Sequence, residues 1–201
     1  MNPQMLDKLN YGCGRDYRPG WINADINRAV KADVYLSPED YTLPFENNAF
    51  DEVLLDNVIE HIPKARLFDF LDQIHRITRP GGLIRIYVPH YTSVYAYANL
   101  SHQSAFAVGA FDCCAAGGMF NSNERYGKAA FRVKRQRLLF FGHNPARCRW
   151  LGKLPVNWLF NGHWLWQKIM ERFQFAGFDE LYVELEAAKE PSPAEAPGSS
   201  R

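Results

Sequence analysis

The stretch Lys8-Leu9-Asn10-Tyr11-Gly12-Cys13-Gly14, running on to Trp21-Ile22-Asn23-Ala24-Asp25, limits what this chain can fold into more than any other. A short apolar strand that stops at paired glycines lets the backbone turn sharply and leaves amide N–H groups free for an anionic or polar ligand end. The second strand, Trp21 to Ala24, closes on an acid. A carboxylate there can accept hydrogen bonds from the two hydroxyls of a ribose, which makes Asp25 the candidate. A dinucleotide fold asks for a third glycine, a helix and an acid about 20 residues further on. In this chain Pro19-Gly20 interrupts any helix and the acid comes sooner, which argues against a nicotinamide cofactor.

A chain of 201 residues can bury a core of its own, and residues 1–189 read as one domain. The stretch Glu190 to Arg201, dominated by Pro, Ala, Ser and Gly, is expected to be a disordered tail. No apolar run approaches bilayer length and no leader pattern opens the chain, so a cytoplasmic location is expected. The cysteines Cys13, Cys113, Cys114 and Cys148 lack the paired spacing of a zinc site, and the adjacent pair is hard to bridge. Free thiols and no metal centre are expected.

Tyr11-Gly12-Cys13-Gly14, Gly20-Trp21-Ile22-Asn23-Ala24-Asp25, Leu43-Pro44-Phe45, Phe50-Asp51-Glu52-Val53, Ile59-Glu60-His61-Ile62 and Arg79-Pro80-Gly81-Gly82 appear in that order. The series resembles the small bacterial class I S-adenosylmethionine-dependent methyltransferases with a shortened first helix, and it covers residues 8 to 106. The resemblance implies an α/β fold: a mostly parallel seven-stranded Rossmann-like sheet with helices on both faces and a helical insertion after the fifth strand. It implies S-adenosyl-L-methionine as cofactor. Tyr11, Gly12, Cys13 and Gly14 would line its methionine part, Asp25 and Ile26 the ribose and adenine side, and the loop carrying Leu43 would wall the adenine. The aspartate that usually receives the adenine amine is replaced by Ser37, which leaves Ser37, Asp40 and backbone carbonyls as alternatives. Asp56, Asn57 and His61 would lie toward the sulfonium end, with Glu60 packed behind.

The residues themselves supply the elements. Val34 sits in a short third strand, 32–36, and Val53-Leu54-Leu55 is the apolar centre of a fourth, 50–57. Leu67, Leu71, Ile74 and Ile77 give one buried stripe to a helix over 64–79, which Pro80-Gly81-Gly82 stops before a strand at 83–89. Residues 91–125 read as an insertion, a lid over the cofactor rim that shapes the substrate pocket. Residues 131–141 alternate as a strand, although Arg135 and Arg137 would then share the face of Phe131 and Val133. A helix over 156–173 and a last strand over 178–186 follow.

Methyl transfer from a sulfonium is an in-line displacement that needs alignment rather than a protein nucleophile or metal. Where the acceptor is a hydroxyl, a base must take its proton, and histidine is the natural choice. His102 falls where the resembled family carries a histidine after the fifth strand, with Asn99-Leu100-Ser101 in place of its usual Asp-Pro-Thr. His90, at the carboxyl end of that strand, is the second candidate. Glu60 and His61 have another reading, a helix-capping pair that fixes the loop after the strand.

The formal net charge of +1 hides a basic block, for no Asp or Glu occurs between Arg125 and Lys168. With its tryptophans this third could hold a phosphate-bearing substrate or lie on an anionic membrane, and the plainer reading is core or homodimer contact with the charges in water. No nucleic-acid module is recognisable, so nucleic acid is not the expected partner. The expected activity is O-methylation of a small-molecule or glycan acceptor, in a surface-polysaccharide or natural-product setting by resemblance. The rivals are a non-catalytic module that binds the cofactor or S-adenosylhomocysteine, and an RNA methyltransferase.

Overall fold

The computed structural model describes residues 7–37, 42–115, 127–140, 164–173 and 177–189. Seven strands form one sheet: β1 (Lys8–Tyr11), β2 (Ile22–Asp25), β3 (Val34–Tyr35), β4 (Phe50–Asp56), β5 (Thr78–Pro89), β6 (Phe131–Leu139) and β7 (Glu180–Ala187). Their order is β3-β2-β1-β4-β5-β7-β6. The first five pair in parallel, and β7 runs antiparallel to both β5 and β6. This is the seven-stranded, mostly parallel sheet that the sequence leads one to expect.

The two faces of the sheet differ in chemistry. Leu9, Val53, Ile84 and Leu185 lie abreast across four strands, all fully buried. They share a core with Phe70, Leu71, Ile74 and Ile77 of α1 (Leu67–Ile77), the apolar stripe of that helix. Helix α1 starts after a 3-10 turn at Lys64–Arg66, so the predicted helix is divided at Leu67. It ends where Thr78 turns extended and its hydroxyl donates back to the Ile74 carbonyl at 2.7 Å. On the opposite face the next rows carry Lys8, Glu52 and Glu186, then Asn10, Arg85 and Glu184. Glu52 is ion-paired to Lys8 and to Arg85, each at 3.0 Å, and Glu186 to Arg132 and Lys134.

The shortening expected for the first helix reaches further. Among the described residues neither the β1–β2 nor the β2–β3 connection contains a helix. A polar network stands in for it. The Asn10 amide donates to the Asp16 carbonyl at 2.7 Å and to Asn23 Oδ1 at 3.1 Å. The Asn23 amide donates to the carbonyls of Arg18 and Trp21 at 3.0 and 3.1 Å and to Asp33 at 3.0 Å, while Asn23 Oδ1 accepts from the Arg18 amide at 2.8 Å. Tyr17 donates its hydroxyl to the other Asp33 oxygen at 2.9 Å. Asn10 and Asn23 are buried, and such a network is worth its burial only when every member is satisfied.

The conflict in the sixth strand is resolved by a bulge. The register between β6 and β7 shifts between Val133 and Arg135, so Phe131 and Leu138 face the core while Arg135 and Arg137 stand opposite Glu184 and Tyr182 on the polar face. One extra residue in a strand moves every later side chain to the other side. Helix α2 (Tyr95–Ala98) lies in the insertion. Helix α3 (Trp164–Phe173) follows β6, and its buried Gln167 donates to the Gln136 carbonyl at 3.0 Å. Residues 156–163 of the expected helix, 116–125 of the insertion and 190–201 of the tail lie outside the described residues, as do Arg147, Arg149, Lys153, Trp150 and Trp158.

Candidate active site

Strand β1 is hydrogen-bonded to β2 on one side and β4 on the other, and the chain direction across the sheet reverses between β1 and β4. In open α/β sheets ligands bind at the carboxyl ends of the strands at such a switch point. Gly12, Asp25 and Asp56 stand there. Gly12 has φ +70°, and a Cβ on it would lie 2.5 Å from Val58 Cγ2, so the residue following β4 occupies the space a side chain would need. Gly14, at φ +50°, has nothing within 4 Å of that position.

The amides expected to be free are engaged. Gly12 and Cys13 donate to the Ala24 carbonyl at 2.7 and 3.1 Å, and Gly14 donates to Asp25 Oδ2 at 2.7 Å. Asp25 Oδ1 accepts from the Asn27 amide at 2.7 Å. The turn is thus held by β2 rather than left open for an anion, which corrects the sequence expectation. Each carboxylate oxygen retains acceptor capacity, so Asp25 is oriented by these bonds and can still receive a hydroxyl. Ile26 beside it is 53 % exposed, an apolar surface available to a ring.

Other residues assigned to the cradle face elsewhere. The Cys13 thiol is buried and points to the Lys31 carbonyl at 3.6 Å, and burial followed by the Asp25 charge pushes its pKa up. Tyr11 packs edge-on against Phe70 at 5.2 Å. Leu43 packs inward: its carbonyl accepts from Arg76 at 2.8 Å in the last turn of α1, and its side chain is buried in the core on the return into β4. Ser37 is exposed just beyond β3, and Asp40 lies outside the described residues.

At the carboxyl end of β4, Asn57 adopts φ +53° and its amide side chain donates to Asp56 at 2.8 Å. A 3-10 turn, Ile59–His61, then places Glu60 inward and His61 outward. No side chain caps this turn, so the capping reading of the pair does not hold. The insertion docks here: Gln103 donates its amide to the Glu60 carbonyl at 2.6 Å. The His61 and His102 rings meet edge-on at 4.7 Å. His102 Nδ1 lies 3.3 Å from the Ala96 carbonyl and must donate to it. The Ser101 hydroxyl donates to Asn99 Oδ1 at 2.8 Å, so its oxygen accepts from His61 Nδ1 at 3.0 Å. Both rings therefore keep the Nε2 lone pair. Burial, then the neighbouring His102, lowers the pKa of His61. Burial pushes Glu60 up to about 8.

His90 does not join this group. It is fully buried, with Nδ1 2.8 Å from the Thr92 hydroxyl, and Thr92 in turn accepts from the Phe178 amide at 3.0 Å. A ring so enclosed pins β5 to the chain before β7 and has no surface to offer an acceptor, which corrects its assignment as second base.

The profile of the Methyltransferase domain family matches residues 5–86, the segment that carries β1 through most of β5. Over residues 5–86 the chain resembles the Methyltransferase domain family, and its fold is the methyltransferase fold. A search of curated proteins returned no match. Among solved structures, a SAM dependent methyltransferase from Archaeoglobus fulgidus is 17% identical, with a TM-score of 0.53 over 89% of this chain and 85% of that one. The complex between the Haloferax volcanii Trm112 methyltransferase activator and the putative methyltransferase gives 16% identity and a TM-score of 0.53, covering 96% and 86%. The geranyl diphosphate C-methyltransferase of Streptomyces coelicolor A3(2), solved with Mg2+, geranyl diphosphate and S-adenosyl-L-homocysteine, gives 12% and 0.52 over 90% and 70%. These likenesses extend the methyltransferase fold past residue 86 to the end of the sheet.

S-adenosylmethionine is named for the similar structure from Archaeoglobus fulgidus, and the residues present here fit such a nucleoside: an open Gly14, a carboxylate oriented by its own turn and an exposed Ile26. Two features of this site were not read from the sequence. The Asn10–Asn23–Asp33 network was signalled only by asparagines inside apolar strands, and the approach of His102 to His61 spans 41 residues with no local signal.

Proposed function

We propose that the chain is a class I S-adenosylmethionine-dependent methyltransferase that alkylates a hydroxyl of a small-molecule or glycan acceptor, with His102 taking the hydroxyl proton. The observation that carries the proposal is the His61–His102 contact, in which each Nδ1 has an oxygen partner and each Nε2 keeps its lone pair. S-adenosylmethionine supplies a methyl group on a sulfonium, a good leaving group. Asp25 and Ile26 hold the ribose and adenine, Gly12 and Gly14 line the methionine side, and Asn57 and His61 border the sulfonium. Alignment of donor and acceptor contributes as much as about 7–11 kcal/mol.

Proton removal by His102 adds about 10²- to 10⁴-fold. The Ala96 carbonyl orients its ring for the task. Residues 91–125 act as the lid, and exposed Val94, Tyr95, Tyr97 and Leu100 give it an apolar outer surface against which a lipid-linked glycan on a membrane would lie. The cytoplasmic location and the surface-polysaccharide or natural-product setting implied by the resemblance belong to the same proposal. The test is transfer of labelled methyl to a panel of hydroxylated acceptors. His102→Gln is expected to lower kcat by about 10²-fold or more while leaving S-adenosylhomocysteine affinity unchanged. An unchanged kcat overturns the role of His102, and labelling confined to nitrogen or carbon overturns the acceptor.

A further inference from the structure

Glu60 is fully buried, and neither of its carboxylate oxygens has a hydrogen-bond partner. Its charged neighbours are Asp56 and Glu180, both acids. A buried carboxylate set among like charges is costly unless a cation or a donor compensates it. Two imidazoles also approach it: one ligand-capable atom from each of Glu60, His61 and His102 lies within 4.8 Å of the other two. We propose that Glu60, His61 and His102 form a binding site for a divalent cation of the zinc class.

Three observations support this independently of which atom the enzyme methylates. The donor set, two neutral imidazoles and one carboxylate, is the one that holds catalytic zinc with a coordination position left open. Each imidazole is already oriented as a metal-binding histidine is, through its second nitrogen: His61 by the Ser101 hydroxyl and His102 by the Ala96 carbonyl. The burial is graded, with Glu60 inside, His102 intermediate and His61 exposed, so the cluster opens to solvent on one side. A tetrahedral ion bonding at about 2.0–2.2 Å spaces its ligands about 3.3 Å apart. The cluster must therefore contract by up to about 1.5 Å when the ion binds.

The consequence for the reaction is specific. With the cation bound, His102 is a ligand and cannot take the acceptor proton. An acceptor hydroxyl in the open position would have its pKa lowered by the cation and would release its proton to solvent water on the exposed side of the cluster. Without the cation the imidazole remains the base.

The experiment is isothermal titration of the chelator-stripped full chain with Zn2+ alone, with no cofactor or acceptor, supported by visible absorption after titration with Co2+. One equivalent of Zn2+ is expected, with the absorption bands of a four-coordinate Co2+ site. Glu60→Gln and His102→Ala are each expected to weaken Zn2+ by at least about 100-fold, and Ser101→Ala by about 10-fold. Glu60→Gln keeps shape and removes the carboxylate ligand, and a thermal melt reports whether it folds. If it does not fold, His102→Ala decides. Absence of saturable binding, or affinity unchanged in a folded variant, overturns the site. Methyl transfer that persists in chelator with no Zn2+ binding sinks the cation and keeps the base, whereas Zn2+ binding without any methyl transfer does the reverse.

Discussion

Gly12 and Gly14 are two residues apart and do different things. Gly12 is required by Val58 as much as by its own backbone, since a methyl group there would sit 2.5 Å from Val58 Cγ2. Gly14 faces open space. Gly12→Ala is therefore expected to cost more than the roughly 1–3 kcal/mol of left-handed strain, and Gly14→Ala no more than that strain. Val58→Ala should restore part of the Gly12→Ala loss, and no restoration in thermal melts would contradict the contact. His75 offers a pH test. Burial, then the Lys189 ammonium, lowers its pKa, and its ring packs edge-on against Phe131 at 5.2 Å. The folded protein then binds fewer protons than the unfolded chain below the ordinary histidine value of about 6.5, so His75 leaves stability intact above that pH and diminishes it as pH falls. His75→Gln should flatten the decline in melting temperature between pH 7 and 5, and an unchanged slope would refute it. The sequence carried the glycines and Asp25 but not their partners, because Val58 and Ala24 are brought to them by strand pairing rather than by neighbouring residues.

At the scale of elements, the loop from Gly12 to Trp21 does the work of a helix by fastening itself to the sheet through Asn10, Asn23 and Asp33. Against the opposing effect of burial, bonds from Asn23 and Tyr17 hold the Asp33 carboxyl below its ordinary value. Asn23→Leu removes the shared member and leaves Asp33 and two loop carbonyls without it. At about 1–3 kcal/mol per buried group left unsatisfied, it should lower stability by several kcal/mol and speed proteolysis between β1 and β2. Protease resistance equal to the parent would contradict the network. Strand existence was legible throughout, because apolar runs and alternation mark strands directly. The bulge at Val133–Arg135 was legible only as a contradiction, two arginines on an apolar face, which the shifted register removes. The packing of Leu43 was not legible, because a motif gives order along the chain, whereas Arg76 fixes where the loop lies.

For the whole molecule, strand order and the reversal between β1 and β4 bring Gly12, Asp25 and the Asn57-to-His61 turn to one rim, and the insertion adds His102 from 41 residues further on. The first half of that arrangement was readable because each piece ends a strand in order; the second depends on how the insertion packs, through Gln103 and Ser101, and has no periodic signature. Among the described residues no helix is long and apolar enough to cross a membrane. The most direct test of the central claim is a crystal structure of the chain with S-adenosylhomocysteine, read for where the nucleoside lies. The expected density places the ribose hydroxyls on the Asp25 carboxylate, the adenine against Ile26 and the sulfur toward Asn57 and His61. Density for the nucleoside elsewhere, or no binding at saturating concentration, contradicts the account.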